Sequence, residues 1–113
     1  MQRFSSAVLI WMACTSAAIA GAMTPRPDPE KGRQLAERVC VECHIVSSRA
    51  ESPVAADVPS FPAIAAKPDQ SMEAIAGRIV IPHPPMPAIA LTREEIVNVT
   101  AYIMSLRSGG AGP

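Results

Sequence analysis

The chain has 113 residues, ten basic and ten acidic side chains and therefore no formal net charge, with three cysteines, one Trp, one Tyr and two Phe. A chain of this length forms one small domain, and its balanced charge excludes the basic face that nucleic-acid binding requires. So few aromatic residues leave the core under-filled, which in a small domain calls for a staple.

At the N-terminus, Arg3 places a positive charge ahead of the apolar run Phe4 to Ala13. That run is too short to span a bilayer by itself. Ala18 and Ala20, and again Ala20 and Ala22, form the A-x-A pattern of a secretory cleavage site. Residues 1–22 therefore read as a signal peptide, with an uncleaved anchor extending through Ala22 as the rival reading. Cys14 follows Trp-Met-Ala, a poor match to the leucine-led sequence before a lipoprotein cysteine, and belongs with Trp11 to the discarded segment. The remainder divides into a flexible segment at 23–28, one domain at 29–108 and a tail at 109–113. It keeps two cysteines, Cys40 and Cys43, and two aromatic residues, Phe61 and Tyr102.

Asp28 and Pro29 make an N-cap and first-turn pair, and Glu30 adds charge suited to a helix N-terminus. From there Gly32, Leu35, Ala36 and Val39 share one helical face. Gly32 costs about 1 kcal/mol relative to alanine inside a helix, which a close helix crossing would explain. The helix leads into "CVECH" at 40–44. A redox pair of cysteines belongs at the start of a helix that follows a strand, whereas here a helix precedes it. A zinc site from Cys40, Cys43, His44 and His83 has suitable donors, but structural zinc sites use separated ligand pairs. C-x-x-C-H is the signature of covalent haem attachment, in which two thiols on one turn meet two vinyl groups and the next residue offers its imidazole to the iron.

A third helix is expected from Asp69 or Ser71 to Ile79, with Ile75 and Ile79 one turn apart. Next comes "IPHPPMPAIA" at 81–90, whose prolines 82, 84, 85 and 87 exclude a helix or central strand and make a stiff extended loop. The last helix opens with the capping box Thr92 and Glu95, presents Ile96, Val99, Ile103 and Leu106 as its apolar face, and ends at "SGG", 108–110. No stretch alternates as a strand, so the domain is all α.

The helix into "CVECH", the "PSF" at 59–61, the "PPMP" at 84–87 and the final amphipathic helix together resemble the small monohaem cytochromes c with His/Met ligation. The resemblance covers nearly all of the chain after the signal peptide. It implies three to four short helices packed around one haem c attached through Cys40 and Cys43, with His44 and Met86 as axial ligands. Met86 sits in a rigid proline frame, which reduces the disorder lost when a flexible thioether is fixed. His83 is the rival ligand and would make a lower-potential bis-histidine haem; otherwise it is a solvent-facing or propionate-contacting loop residue. Met104 is assigned to packing.

The resemblance also implies that Tyr102 meets Gly32 where the first and last helices cross. It makes the carbonyl of Pro59 the acceptor for the other ring N–H of His44, and Phe61 a haem-packing residue. The stretch between His44 and Pro59 lacks the glycines usual in the family, so Pro53 remains a second candidate for that carbonyl. Arg78, Arg49 and Ser60 are candidates for propionate contacts or ordinary surface positions. The function implied is that of a soluble, monomeric periplasmic single-electron carrier, not an enzyme, exchanging electrons with a dehydrogenase, reductase or oxidase. It touches a membrane only through partners or an uncleaved signal. Two other readings are a haem subunit of a larger dehydrogenase or oxidase, and a haem enzyme or gas sensor whose methionine dissociates.

Overall fold

The computed structural model describes residues 21, 23–49, 57–81 and 83–107. The proposed signal peptide apart from Gly21, together with Pro53, Pro82 and "SGG", lies outside the described residues. Four helices follow in order: α1 (Pro29–Val39), α2 (Phe61–Ala65), α3 (Met72–Val80) and α4 (Arg93–Ser105). Among the described residues the only extended pairing is an isolated antiparallel bridge between His83 and Met86, so the fold is all α. No helix among them is long and apolar enough to cross a membrane.

Each helix starts where a side-chain oxygen meets its free N–H groups. Asp28 Oδ1 accepts from the backbone N–H of Glu30 and of Lys31, both at 3.1 Å. Ser60 and Ser71 cap α2 and α3 through Ala63 and Ala74. Thr92 and Glu95 complete a reciprocal box, the Glu95 N–H donating to Thr92 Oγ1 and the Thr92 N–H to Glu95 Oε2. Such caps satisfy donors the helix cannot pair internally. Helix α3 starts at Met72 rather than Asp69, because Asp69 has a positive φ of 56° that no continuing helix adopts. Helix α2 was not located from sequence: five residues are too short for a hydrophobic period.

The main contact is the crossing of α1 on α4. A β-carbon at Gly32 would overlap the carbonyl oxygen of Asn98 and stand 2.5 Å from its carbon and 2.9 Å from Tyr102 Cβ. The absence of a side chain there lets the two backbones touch. Asn98, 4% exposed, also accepts the Asp28 N–H on its Oδ1 at 2.9 Å, which ties the start of α1 to the same crossing. Leu35, Ala36, Val46, Phe61, Ala65, Ile75, Val99, Tyr102 and Ile103 form the core.

Two expectations need correction. Val39 is 37% exposed and does not join the buried face of α1, because the chain leaves the helix there. Helix α4 is buried almost all round from Asn98 to Ile103, rather than along a single stripe. Its contacts with α1, α2 and α3 account for the difference.

Candidate functional site

Past the end of α1 the backbone continues to coil. Cys40 caps the helix by donating its N–H to the Ala36 carbonyl, and its own carbonyl accepts from the N–H groups of both Cys43 (3.2 Å) and His44 (2.9 Å). The two cysteines and the histidine thus occupy a single hydrogen-bonded turn. Both thiols are free, Cys40 half-buried and Cys43 exposed. Burial pushes the Cys40 thiol above its ordinary value. A helix C-terminus adds negative potential, the opposite of the setting that activates a redox thiolate. Among the described residues no group of three or more His, Cys, Asp or Glu side chains is arranged to hold a metal ion, so the zinc quartet is not assembled.

His44 is oriented from outside its own turn. Its Nδ1 lies 2.7 Å from the Pro59 carbonyl oxygen. A carbonyl can only accept, so Nδ1 carries the proton and the neutral ring keeps a lone pair on Nε2. The Phe61 ring lies 5.4 Å from the imidazole, and Tyr102 packs edge-on to Phe61 at 6.3 Å. The strand of chain after His44 is held at two further points. Phe61 N–H donates to the Ile45 carbonyl (2.9 Å), and the Tyr102 hydroxyl donates to the Val46 carbonyl (2.6 Å). Ser60, with Pro62 next to Phe61, turns Pro59 and Phe61 toward the histidine by starting α2 at this point.

Met86 closes a tight turn with His83. The Met86 N–H donates to the His83 carbonyl at 3.0 Å, across the Pro84–Pro85 cis bond. Residues directly opposed in an antiparallel bridge project to the same side of the pair. His83 Nδ1 donates to the Ile81 carbonyl at 3.1 Å, which leaves its own Nε2 lone pair free. Both loop residues are half-buried. Met104 is partly buried against the core, and Arg49 and Arg78 are exposed. Ser60 has a cap to make, which explains it without any further contact.

Sequence reasoning missed Arg107. Its Nε donates to the Ala65 carbonyl and its Nη2 to the Lys67 carbonyl, both at 2.9 Å, gripping the far end of α2. No local pattern links positions forty apart, so nothing short of the fold reveals it.

The donors present are two free thiols on one turn, an imidazole with a fixed tautomer and a thioether on a proline-framed turn. Imidazole and thioether are donors of the kind that would hold haem iron, and paired thiols are what covalent attachment would consume. The residues therefore fit a haem c. Comparison with known proteins agrees: the family profile for Cytochrome c matches residues 29–107. The chain is similar to Cytochrome c-552 of Bradyrhizobium diazoefficiens, 44% identical over 80 residues that span 71% of this chain and 76% of that protein. No solved structure matches.

Proposed function

This chain belongs to the cytochrome c family, proteins that carry electrons on covalently bound haem c, and on that premise we propose that it is a periplasmic single-electron carrier. Cys40 and Cys43 supply the thiols for two thioether links. His44 offers Nε2 to the metal, while the Pro59 carbonyl holds its Nδ1–H and raises the basicity of the ring. Phe61 limits rotation of that ring. Met86 offers a soft sulfur, which favours the reduced metal. When bound, the haem supplies a one-electron Fe(II)/Fe(III) couple.

The observation that carries the reading is the His44 turn: two free thiols and an imidazole with a set tautomer on one coil of backbone. Residues that stay in place through a redox cycle suit a carrier, since little needs to reorganise. The N-terminal A-x-A pattern supports export to the periplasm, where dehydrogenases, reductases or oxidases are the partners. Absorption spectra of the secreted protein in both oxidation states, with its mass, test the proposal. Bands of a c-type haem, a mass gain of one haem and a far-red ferric band of thioether ligation are expected. A colourless protein with the bare-chain mass would overturn it.

A further inference from the structure

Helix α2 has only five residues, about 7 Å of rise, and is far too short to be stable alone. It is held at both ends. At its start, the Pro59 carbonyl accepts from His44, the Phe61 N–H donates to Ile45, and the Phe61 ring packs on the imidazole. At its end, Arg107 reaches back from beyond α4 with two charge-assisted hydrogen bonds, one to the Ala65 carbonyl inside the helix and one to Lys67 just past it. A cation at a helix C-terminus also matches the negative end of the helix dipole. Gln70 adds a neutral bond to the Ile64 carbonyl at 3.0 Å.

We propose that Arg107 is a positioning residue for His44, acting through α2 as a strut between them. The inference rests on the haem reading given above. Its logic is mechanical: the Pro59 carbonyl can orient the imidazole only if Pro59 itself is fixed, and the element that fixes it is clamped at its other end by Arg107. Releasing the clamp lets α2 shift or fray, lengthens the Nδ1–H to Pro59 bond and lowers the basicity of the ring toward the metal. A less basic imidazole stabilises Fe(III) less, so the midpoint potential rises.

The test compares haem-loaded wild type with Arg107→Gln and Arg107→Lys, and with Thr92→Ala, which lowers stability at the opposite end of α4. Three quantities are measured: stability to denaturant, exchange rate of the His44 Nδ1–H by NMR, and midpoint potential. Arg107→Gln should speed that exchange by about tenfold or more and raise the potential. Lysine, one charge without the fork, should restore part of both. Thr92→Ala should lose stability with the His44 proton and the potential unchanged. If Arg107→Gln behaves as Thr92→Ala does, Arg107 serves stability only and the proposal is wrong. Wild type lacking the mass of a haem would instead overturn the functional reading, and the role of Arg107 with it.

Discussion

Met86 and His83 are bridged across two prolines, and under the proposed haem reading either would supply the second iron-binding donor beside His44. The difference between them is chemical. A thioether is soft and favours Fe(II), whereas imidazole favours Fe(III). His83 bonds the Ile81 carbonyl through Nδ1 and so keeps Nε2 as free as that of His44, and the choice of Met86 rests on the His/Met ligation of the cytochromes c. Met86→Ala should therefore keep the haem attached, remove the far-red ferric band, lower the midpoint potential and admit carbon monoxide or azide. His83→Ala should leave all four properties as they are. The opposite pattern would make His83 the ligand and the protein a low-potential carrier. That Cys40, Cys43 and His44 share one turn was legible in five consecutive letters, and the attachment role proposed for them rests on that spacing. The Pro59 carbonyl and the Phe61 ring were reached through family resemblance, because a backbone acceptor fifteen positions away leaves no local trace. Arg107 had neither signal.

The helix ends were readable because caps are local: Asp28 with Pro29, and Thr92 with Glu95, act within one turn. The burial of α4 was not, since Asn98 and Thr100 go inside through hydrogen bonds that sequence does not display, to the Asp28 N–H and to the carbonyls of Ile96 and Val97. Gly32 shows the same limit in reverse. In an isolated helix Gly32→Ala would gain about 1 kcal/mol from propensity. At this crossing the new methyl meets the Asn98 backbone, which cannot swing away, so the sign reverses. A net loss of about 1–3 kcal/mol is expected from the shift in denaturant midpoint; a neutral or stabilising result would mean the helices do not approach this closely. Exposed carboxylates in the first turns of α1 and α4 add an acid-sensitive increment to stability. Arg33 and Gln34 bond the Glu30 carboxylate and hold it down to about 2 from an ordinary value near 4.5. Glu95 is lowered as well, first by the Thr92 backbone N–H. Both folded values lie below the unfolded ones, so this stabilisation is complete above the ordinary value and fades as pH falls toward 2. The melting midpoint should be flat from neutral pH to about 5 and decline below about 4.5, with a shallower decline in Glu30→Gln and in high salt. An equal decline in Glu30→Gln would assign the acid sensitivity elsewhere.

The described residues are poor in large buried side chains. Among them three of the buried hydrophobics are alanines, Ala36, Ala65 and Ala101, and the only buried rings are Phe61 and Tyr102. Val80 and Ile81, at the end of α3, are 57% and 65% exposed. Domains this small bury too little apolar surface to stand far from the unfolding threshold. A large apolar group attached to the chain would be buried on folding, and that added apolar burial shifts the balance toward the folded state. It follows that attachment and folding are coupled. The double variant Cys40→Ala/Cys43→Ala should still be exported, because the proposed leader is untouched, but should be degraded or recovered with reduced helicity and a broad, weakly cooperative melt. Wild type with the proposed leader, residues 1–22, deleted should remain in the cytoplasm without thioether-linked haem, since the proposed export step delivers the thiols to the compartment of attachment. Circular dichroism and the mass of the purified chains read both outcomes. A double variant that is colourless, exported and as helical as wild type, with an equally sharp melt, would show that the nine core residues suffice. The cofactor would then be a passenger on a fold complete without it.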